Sequence, residues 1–227
     1  MLRAVIFDFD GVIADSEFLH YKALNKVFNL HGVHVPKDIH WEKYLGYTDI
    51  ENIQAVSNDY NMNLSPGQVQ ELARKKAEFF KDLIREETAI LDGVEALIDL
   101  LRRHHIRRAV CSGAIRNDIE QMLAGSDLMD AFEVVVTAED VQKGKPDPQG
   151  YLLALRNLNR DEKNPIKSSE CVVIEDSHWG LAAASAAGMH PVAVTNTYPA
   201  EQLKDKAELV ITRLDELTIE DLKNICE

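Results

Sequence analysis

Short apolar runs alternate with amphipathic stretches along most of this sequence, and that alternation is broken once. The apolar runs are Arg3–Asp8 (RAVIFD), Arg108–Cys111, Glu133–Thr137, Cys171–Glu175, His190–Thr195 and Glu208–Thr212. Each is short and nearly continuous in apolar side chains, the pattern of a parallel strand buried on both faces. Between them lie Val94–His104, Arg116–Ala124, Pro148–Leu158 and Leu181–Ala187, whose patterning predicts helices. Parallel strands need crossover connections, and helices supply them. The expected fold class is therefore α/β: a Rossmann-like parallel sheet core with helices on both faces.

The break runs from Ser16 to about Glu87, where no strand pattern is found. Its helical patterns are Glu17–Leu30, Thr48–Tyr60 and Pro66–Glu87, the last opening on Ser65–Pro66 with a capping residue before a first-turn proline. We read 16–89 as an inserted α-helical domain, and 1–15 with 90–227 as the Rossmann-like core. A chain of 227 residues can bury both.

Charge narrows the partners. With 38 acidic and 25 basic residues the formal net charge is -13, which argues against nucleic acid and anionic membrane surfaces. A small phosphorylated metabolite stays open, because one metal ion and one lysine reverse the local field. Nothing in the sequence points to a protein partner. The three cysteines, Cys111, Cys171 and Cys226, lack metal-site spacing and suggest no disulfide framework. No stretch has the length of a membrane span, and no basic-then-apolar leader is seen. The expected setting is a reducing cytoplasm.

Four features carry chemistry, each where an expected strand ends, and in open α/β sheets that is where ligands bind. Asp8-Phe9-Asp10-Gly11 follows the first strand. Two carboxylates beside a phosphate dianion require a cation, and magnesium suits hard oxygen ligands. Ser112-Gly113 precedes a helix, where a hydroxyl and backbone N–H groups can cradle phosphate, although a serine there is ordinarily an N-cap. Lys145, held extended by Pro146, can aim an ammonium into a cleft, although a lone lysine is ordinarily a solvated charge. Glu175-Asp176-Ser177 closes the very apolar Cys171–Ile174 run; its carboxylates can complete a metal's oxygen shell, or Asp176 or Ser177 can cap a helix. Singly each is weak. Four in order, at four strand ends, are not.

DFDGVIADSE (Asp8 to Glu17), Ser112 in VCSG, GKPDPQGY (from Lys145) and VVIEDSHWGLAAASAAGM (from Val172) together resemble the haloacid-dehalogenase-like superfamily, in its branch with a helical cap. Sugar-phosphate phosphatases and β-phosphoglucomutases are the nearest relatives by pattern. The resemblance implies an aspartyl-phosphate on Asp8 and acid/base work by Asp10. Ser112 and Lys145 would hold the phosphoryl group. Magnesium would sit on Asp8, the Asp10 carbonyl and Asp176, with Glu175 in support. Asp10 argues against dehalogenation, because dehalogenases of the superfamily lack that second aspartate.

Substrate contacts are expected from Gly113, Arg116 and Asn117, and in the cap from His20 and Lys76. Trp41, Tyr44 and Tyr47 are candidates for a sugar face, with packing inside the protein the expectation for at least two. The mutases place an arginine about three residues after the glycine of the segment Gly46-Tyr47-Thr48-Asp49, to grip a second phosphate. Here Asp49 stands in that position, with Lys43 a nearby cation. The expected activity is thus a magnesium-dependent phosphatase acting on a sugar phosphate. A hexose-phosphate mutase is the alternative, and a non-catalytic binding protein is disfavoured by the full set of motif residues.

Overall fold

The computed structural model describes all residues except 46, 87–89, 125, 161 and 162. Gly46 and the far end of the inserted segment at Glu87–Ala89 therefore lie outside the described residues.

The chain falls into two compact units, one made of Met1–Asp15 with Ile90–Glu227 and the other of Ser16–Ala89. The larger unit is built on six strands: β1 (Ala4–Phe7), β2 (Arg107–Cys111), β3 (Val134–Val136), β4 (Cys171–Glu175), β5 (His190–Val194) and β6 (Leu209–Ile211). All neighbours pair in parallel in the order β3-β2-β1-β4-β5-β6. Among the described residues every expected strand is present; β4 has the expected bounds, β2 begins one residue earlier, and the others are trimmed by one or two residues.

The strand side chains divide by parity. Ala4 and Ile6, with Ala109, Cys111, Cys171 and Val173, pack in one apolar cluster with Tyr151, Ala154, Ala183 and Ala184. Val5, Phe7, Val110, Val172 and Ile174 point to the other face and are fully buried too. The helices doing the covering in the larger unit are Val94–Arg103, Arg116–Leu123, Gln149–Leu158 and His178–Ala186, with short ones at Ala200–Leu203 and Ile219–Ile225. The free thiols of Cys111, Cys171 and Cys226 are buried and act as small apolar groups.

The smaller unit is wholly helical among its described residues: α1 (Ser16–Asn29), α2 (Lys37–Lys43), α3 (Asp49–Asp59) and α4 (Pro66–Glu86). Leu24, Val27 and Phe28 of α1 meet Ile53 and Val56 of α3 and Val69 and Leu72 of α4 in one core. A capping box starts α3, Thr48 exchanging hydrogen bonds with Glu51. Helix α2 has no counterpart in the sequence reading; at seven residues it is too short to establish a 3.6-residue period. Tyr44 lies in the apolar core with its hydroxyl donating to Asp59, Trp41 meets Tyr21 edge-on, and Tyr47 is exposed.

Candidate active site

In the strand order above, β1 and β4 are neighbours at the point where connections turn from one side of the sheet to the other. A crevice opens there at the carboxyl ends. Phe7 is in register with both Val110 and Ile174, and the Asp8 N–H donates to the Ile174 carbonyl at 2.9 Å. The chain thus stays on the sheet right up to Asp8, which fixes that carboxylate beside the end of β4. A tight turn follows, with the N–H groups of Val12, Ile13 and Ala14 all donating to the Phe9 carbonyl. Gly11 has a φ of 75°, and a Cβ there would lie 1.9 Å from Asp176 Oδ2. Both the left-handed backbone and the approach of Asp176 require glycine.

Lys145 Nζ donates to Asp8 Oδ1 and to Glu175 Oε1, each at 2.6 Å. Glu175 is completely buried and heavily hydrogen-bonded. Its Oε1 also accepts from the Tyr151 hydroxyl at 2.8 Å, and its Oε2 accepts from the Asp176 and Ser177 N–H groups and the Ser177 hydroxyl. Room for that carboxylate exists because residue 180 is glycine: a Cβ would stand 1.6 Å from Glu175 Oε1. Ser177 also caps the helix that follows, its Oγ accepting from the Gly180 N–H at 3.1 Å. The Thr197 hydroxyl donates to Asp176 Oδ2. Ser112 does not cap a helix; its hydroxyl donates to Asp10 Oδ2 at 3.1 Å and accepts from the Ala114 N–H at 2.9 Å.

Burial drives the Asp8 carboxyl well above the usual carboxylate range. Lys145 pulls it down, while Glu175, Asp176 and Asp10 push it further up. Burial and Glu175 raise Asp176 to about 7. Glu175 feels burial too, but the Lys145 charge and the hydrogen bonds from Lys145, Tyr151 and Ser177 more than offset it, and its carboxyl lies below the usual value. Lys145 itself is held well above its ordinary pKa, Asp8 and Glu175 outweighing the burial that opposes its charge. So many carboxylates around one ammonium favour a further cation. Asp8, Glu175 and Asp176 each offer an oxygen, all within 4.8 Å of one another, and these hard donors fit a small divalent ion. The Asp10 carboxylate is not one of the three.

Of the residues expected from sequence, Asp8, Asp10, Ser112, Lys145, Glu175 and Asp176 are brought together. Gly113 is exposed, with open space where a Cβ would be. Arg116 is turned elsewhere: its guanidinium donates to Asp140 Oδ2 at 3.0 Å and to the Val135 carbonyl at 3.1 Å. Asn117 is exposed and donates weakly to its neighbour Asp118. In the smaller unit His20 and Lys76 form a cluster of their own. Lys76, 1% exposed, hydrogen-bonds His20 Nδ1 and lies 2.7 Å from Asp49 Oδ1. Burial and Lys76 hold His20 neutral, its pKa lowered to about 3, and its ring stacks on Phe80 at 4.0 Å. Lys43 is 3.8 Å from Asp59 on the surface. Sequence reasoning missed Tyr151, Thr197 and the steric duty of Gly180. Only Tyr151 left a signal, as the last residue of GKPDPQGY.

The sequence pattern of haloacid dehalogenase-like hydrolases matches residues 5–194. The chain belongs to that family. It is 34% identical over 195 residues to a fructose-1-phosphate phosphatase of Escherichia coli, covering 84% of this chain and 95% of that protein. A phosphorylated carbohydrates phosphatase of Thermotoga maritima is 29% identical, with 84% of each covered. The crystal structure of β-phosphoglucomutase from Clostridium difficile superposes with a TM-score of 0.76 at 26% identity, covering 100% of this chain and 97% of that one. No described helix is long and apolar enough to cross a membrane.

Proposed function

We propose that this protein is a magnesium-dependent phosphatase that hydrolyses a sugar phosphate through an aspartyl-phosphate on Asp8. The observation that carries this reading is Lys145 bridging Asp8 and Glu175 at 2.6 Å, with Asp176 and the Ser112–Asp10 pair alongside. Phosphoryl transfer asks a protein chiefly for positioning and charge compensation, and these residues offer both.

In the first half-reaction an Asp8 oxygen attacks phosphorus as the ester bond breaks, and Asp10 gives its proton to the departing sugar oxygen. In the second, Asp10 takes a proton from water, which attacks the same phosphorus and releases Asp8 and phosphate. Ser112, the Gly113 N–H and Lys145 hold the transferring group. Glu175 is a positioning residue that fixes Lys145. Asp8, Asp176 and the Asp10 carbonyl would hold magnesium, whose charge keeps Asp8 ionised beside a phosphate dianion.

Two relatives named for carbohydrate-phosphate hydrolysis support the substrate class. The second reading, a hexose-phosphate mutase, draws on the mutase of the same fold. Against it stands Lys76, the residue that the resemblance to the mutases assigns to substrate recognition. Its charge is already balanced by Asp49 at 2.7 Å, which leaves it poorly disposed to a second phosphate. A phosphate-release screen over sugar phosphates, nucleotides and phosphoglycolate, with magnesium or EDTA, tests the proposal. Magnesium-dependent release, strongest on sugar monophosphates, is expected. Release unaffected by EDTA after metal stripping, or no release from any ester, overturns it.

A further inference from the structure

Behind the loops carrying Ser112 and Lys145, the larger unit encloses a cavity of about 220 Å³. Cys111, Val136, Val141 and Tyr151 line it together with Ser112, Gly113 and Lys145, and the exposed Gln142–Gly144 segment lines it as well. Asp8, Asp10 and Asp176 do not line it. A second hollow, against Leu152 and Arg156, shares Gln142, Lys143 and Asp147 with the first. The segment leading to Lys145 therefore has open space on both sides. Gln149 Oε1 tethers it by accepting from the Gln142 and Lys143 N–H groups, both at 2.9 Å.

We propose that this cavity is an effector site for a neutral, ring-sized organic molecule, which on binding shifts Lys145 relative to Asp8. Size favours such a ligand, since an engineered apolar cavity of about 150 Å³ takes benzene. Charge excludes an ionic one. The charged groups on the wall are already matched, Lys143 with Asp147 at 3.7 Å and Lys145 with Asp8 and Glu175, so a buried ion would find no partner. Burial pushes the Cys111 thiol up to about 12, and that wall is uncharged at neutral pH. The wall hydroxyls of Thr137 and Tyr151 donate to Asp140 and Glu175, which favours a ligand with few polar groups. Lys145 leaves its wall by a side chain that reaches Asp8 at 2.6 Å, so a ligand displacing that stem lengthens the contact.

The effect on turnover rests on the phosphatase reading; binding does not. Indole is the probe, followed through the methyl NMR signals of Val136 and Val141 and through p-nitrophenyl phosphate hydrolysis. We expect saturable shifts of both valines and a loss of kcat on the order of tenfold with KM unchanged, since a misplacement of about 1 Å costs up to a hundredfold. Val141→Phe and Ala138→Leu fill the cavity without touching the reacting groups. Both should keep the basal kcat while binding and inhibition disappear; Ala138 is exposed and keeps the test intact where Val141→Phe fails to fold. Absence of saturable shifts overturns the site. So does binding that survives in a folded cavity-filled variant. Inhibition through KM alone would assign the cavity to the substrate instead. Saturable shifts without any ester hydrolysis would sink the phosphatase reading and leave the binding site standing.

Discussion

Lys76 is buried and Lys145 half-buried, and their surroundings differ in charge balance. Lys145, at the sheet's carboxyl edge, faces Asp8 and Glu175 directly, with Asp176 and Asp10 close behind. Lys76, among the helices, has the Asp49 carboxylate and a neutral imidazole among its partners. A buried ion pair that balances asks for nothing further; a cluster with surplus negative charge asks for a cation. The first cluster, with its surplus carboxylates, thus favours a further cation. The second pairs its ammonium with a carboxylate inside the helical unit.

The sharpest way to break this contrast is at the nucleophile. Asp8→Asn keeps shape and most of the packing but removes both the attacking charge and a metal donor. Turnover should fall on the order of 10⁵–10⁶-fold, the scale at which other enzymes lose a nucleophile. A cooperative melting curve near the wild-type midpoint would show that the fold survives. Near-normal turnover from a folded variant would remove Asp8 from the mechanism.

Next in size are two glycines that look alike in the sequence. A methyl at 180 would overlap the Glu175 carboxylate, whereas a methyl at 113 meets nothing within 4 Å. Gly180→Ala should destabilise the protein by roughly 3 kcal/mol, through overpacking and through displacing Glu175 from Lys145 and Tyr151. Gly113→Ala should melt like wild type. Equal midpoints for the two variants would mean that the Glu175 anchor contributes little.

Metal and pH sharpen the same cluster. The Asp176 carboxyl has a folded pKa raised to about 7 from an ordinary 3.8, first by burial and then by Glu175. A carboxyl with a raised folded pKa binds its proton more tightly when folded, so its ionisation costs stability as pH rises through that window. Magnesium held by Asp176, as proposed, would compete with that proton. The rise in melting temperature produced by magnesium should therefore be full above pH 7 and shrink progressively as pH falls toward 4. At a hundredfold excess over its dissociation constant the gain corresponds to about 2.7 kcal/mol. A magnesium shift independent of pH across this range would show that Asp176 is not a ligand.

These outcomes bear on what was legible in the sequence. Asp8, Ser112, Lys145 and Glu175-Asp176 could be found because each closes an apolar run or precedes a helix, and the sheet converts strand ends into one crevice. Thr197 also follows a strand, but a threonine there has no pattern that separates it from any loop hydroxyl. Gly180 acts by leaving space for a side chain five residues earlier, and steric room leaves no trace in hydropathy. Arg116 was legible as a cation near the Ser112 loop; its choice of Asp140 depends on how 135–140 folds back. The two short helices Ala200–Leu203 and Ile219–Ile225 went unread because one or two turns hardly establish a period. The pairing of Lys76 with Asp49 joins positions 27 apart on different helices, and only packing brings them together.

The smallest expected effect tests the helical cluster itself. Asp49→Asn removes the carboxylate that balances Lys76 while preserving size and the capping box, which uses Thr48 and Glu51. The variant should melt below wild type, because an ammonium 1% exposed loses a carboxylate partner. With that carboxylate gone an anion can take its place on the ammonium, and a charge-assisted hydrogen bond to phosphate is worth about 1.5–3 kcal/mol. Fructose 1,6-bisphosphate should accordingly raise the variant's melting temperature more than the wild type's, and its KM should drop by about tenfold. Fructose 1-phosphate should behave alike in both proteins. The same pair separates hydrolase from mutase: with β-glucose 1-phosphate the wild type should release phosphate and glucose, measured beside a coupled assay for glucose 6-phosphate. Efficient glucose 6-phosphate formation by the unmodified protein, with little phosphate released, would mean that a balanced Lys76 does not prevent a second phosphate from binding, and the mutase reading would then take the lead.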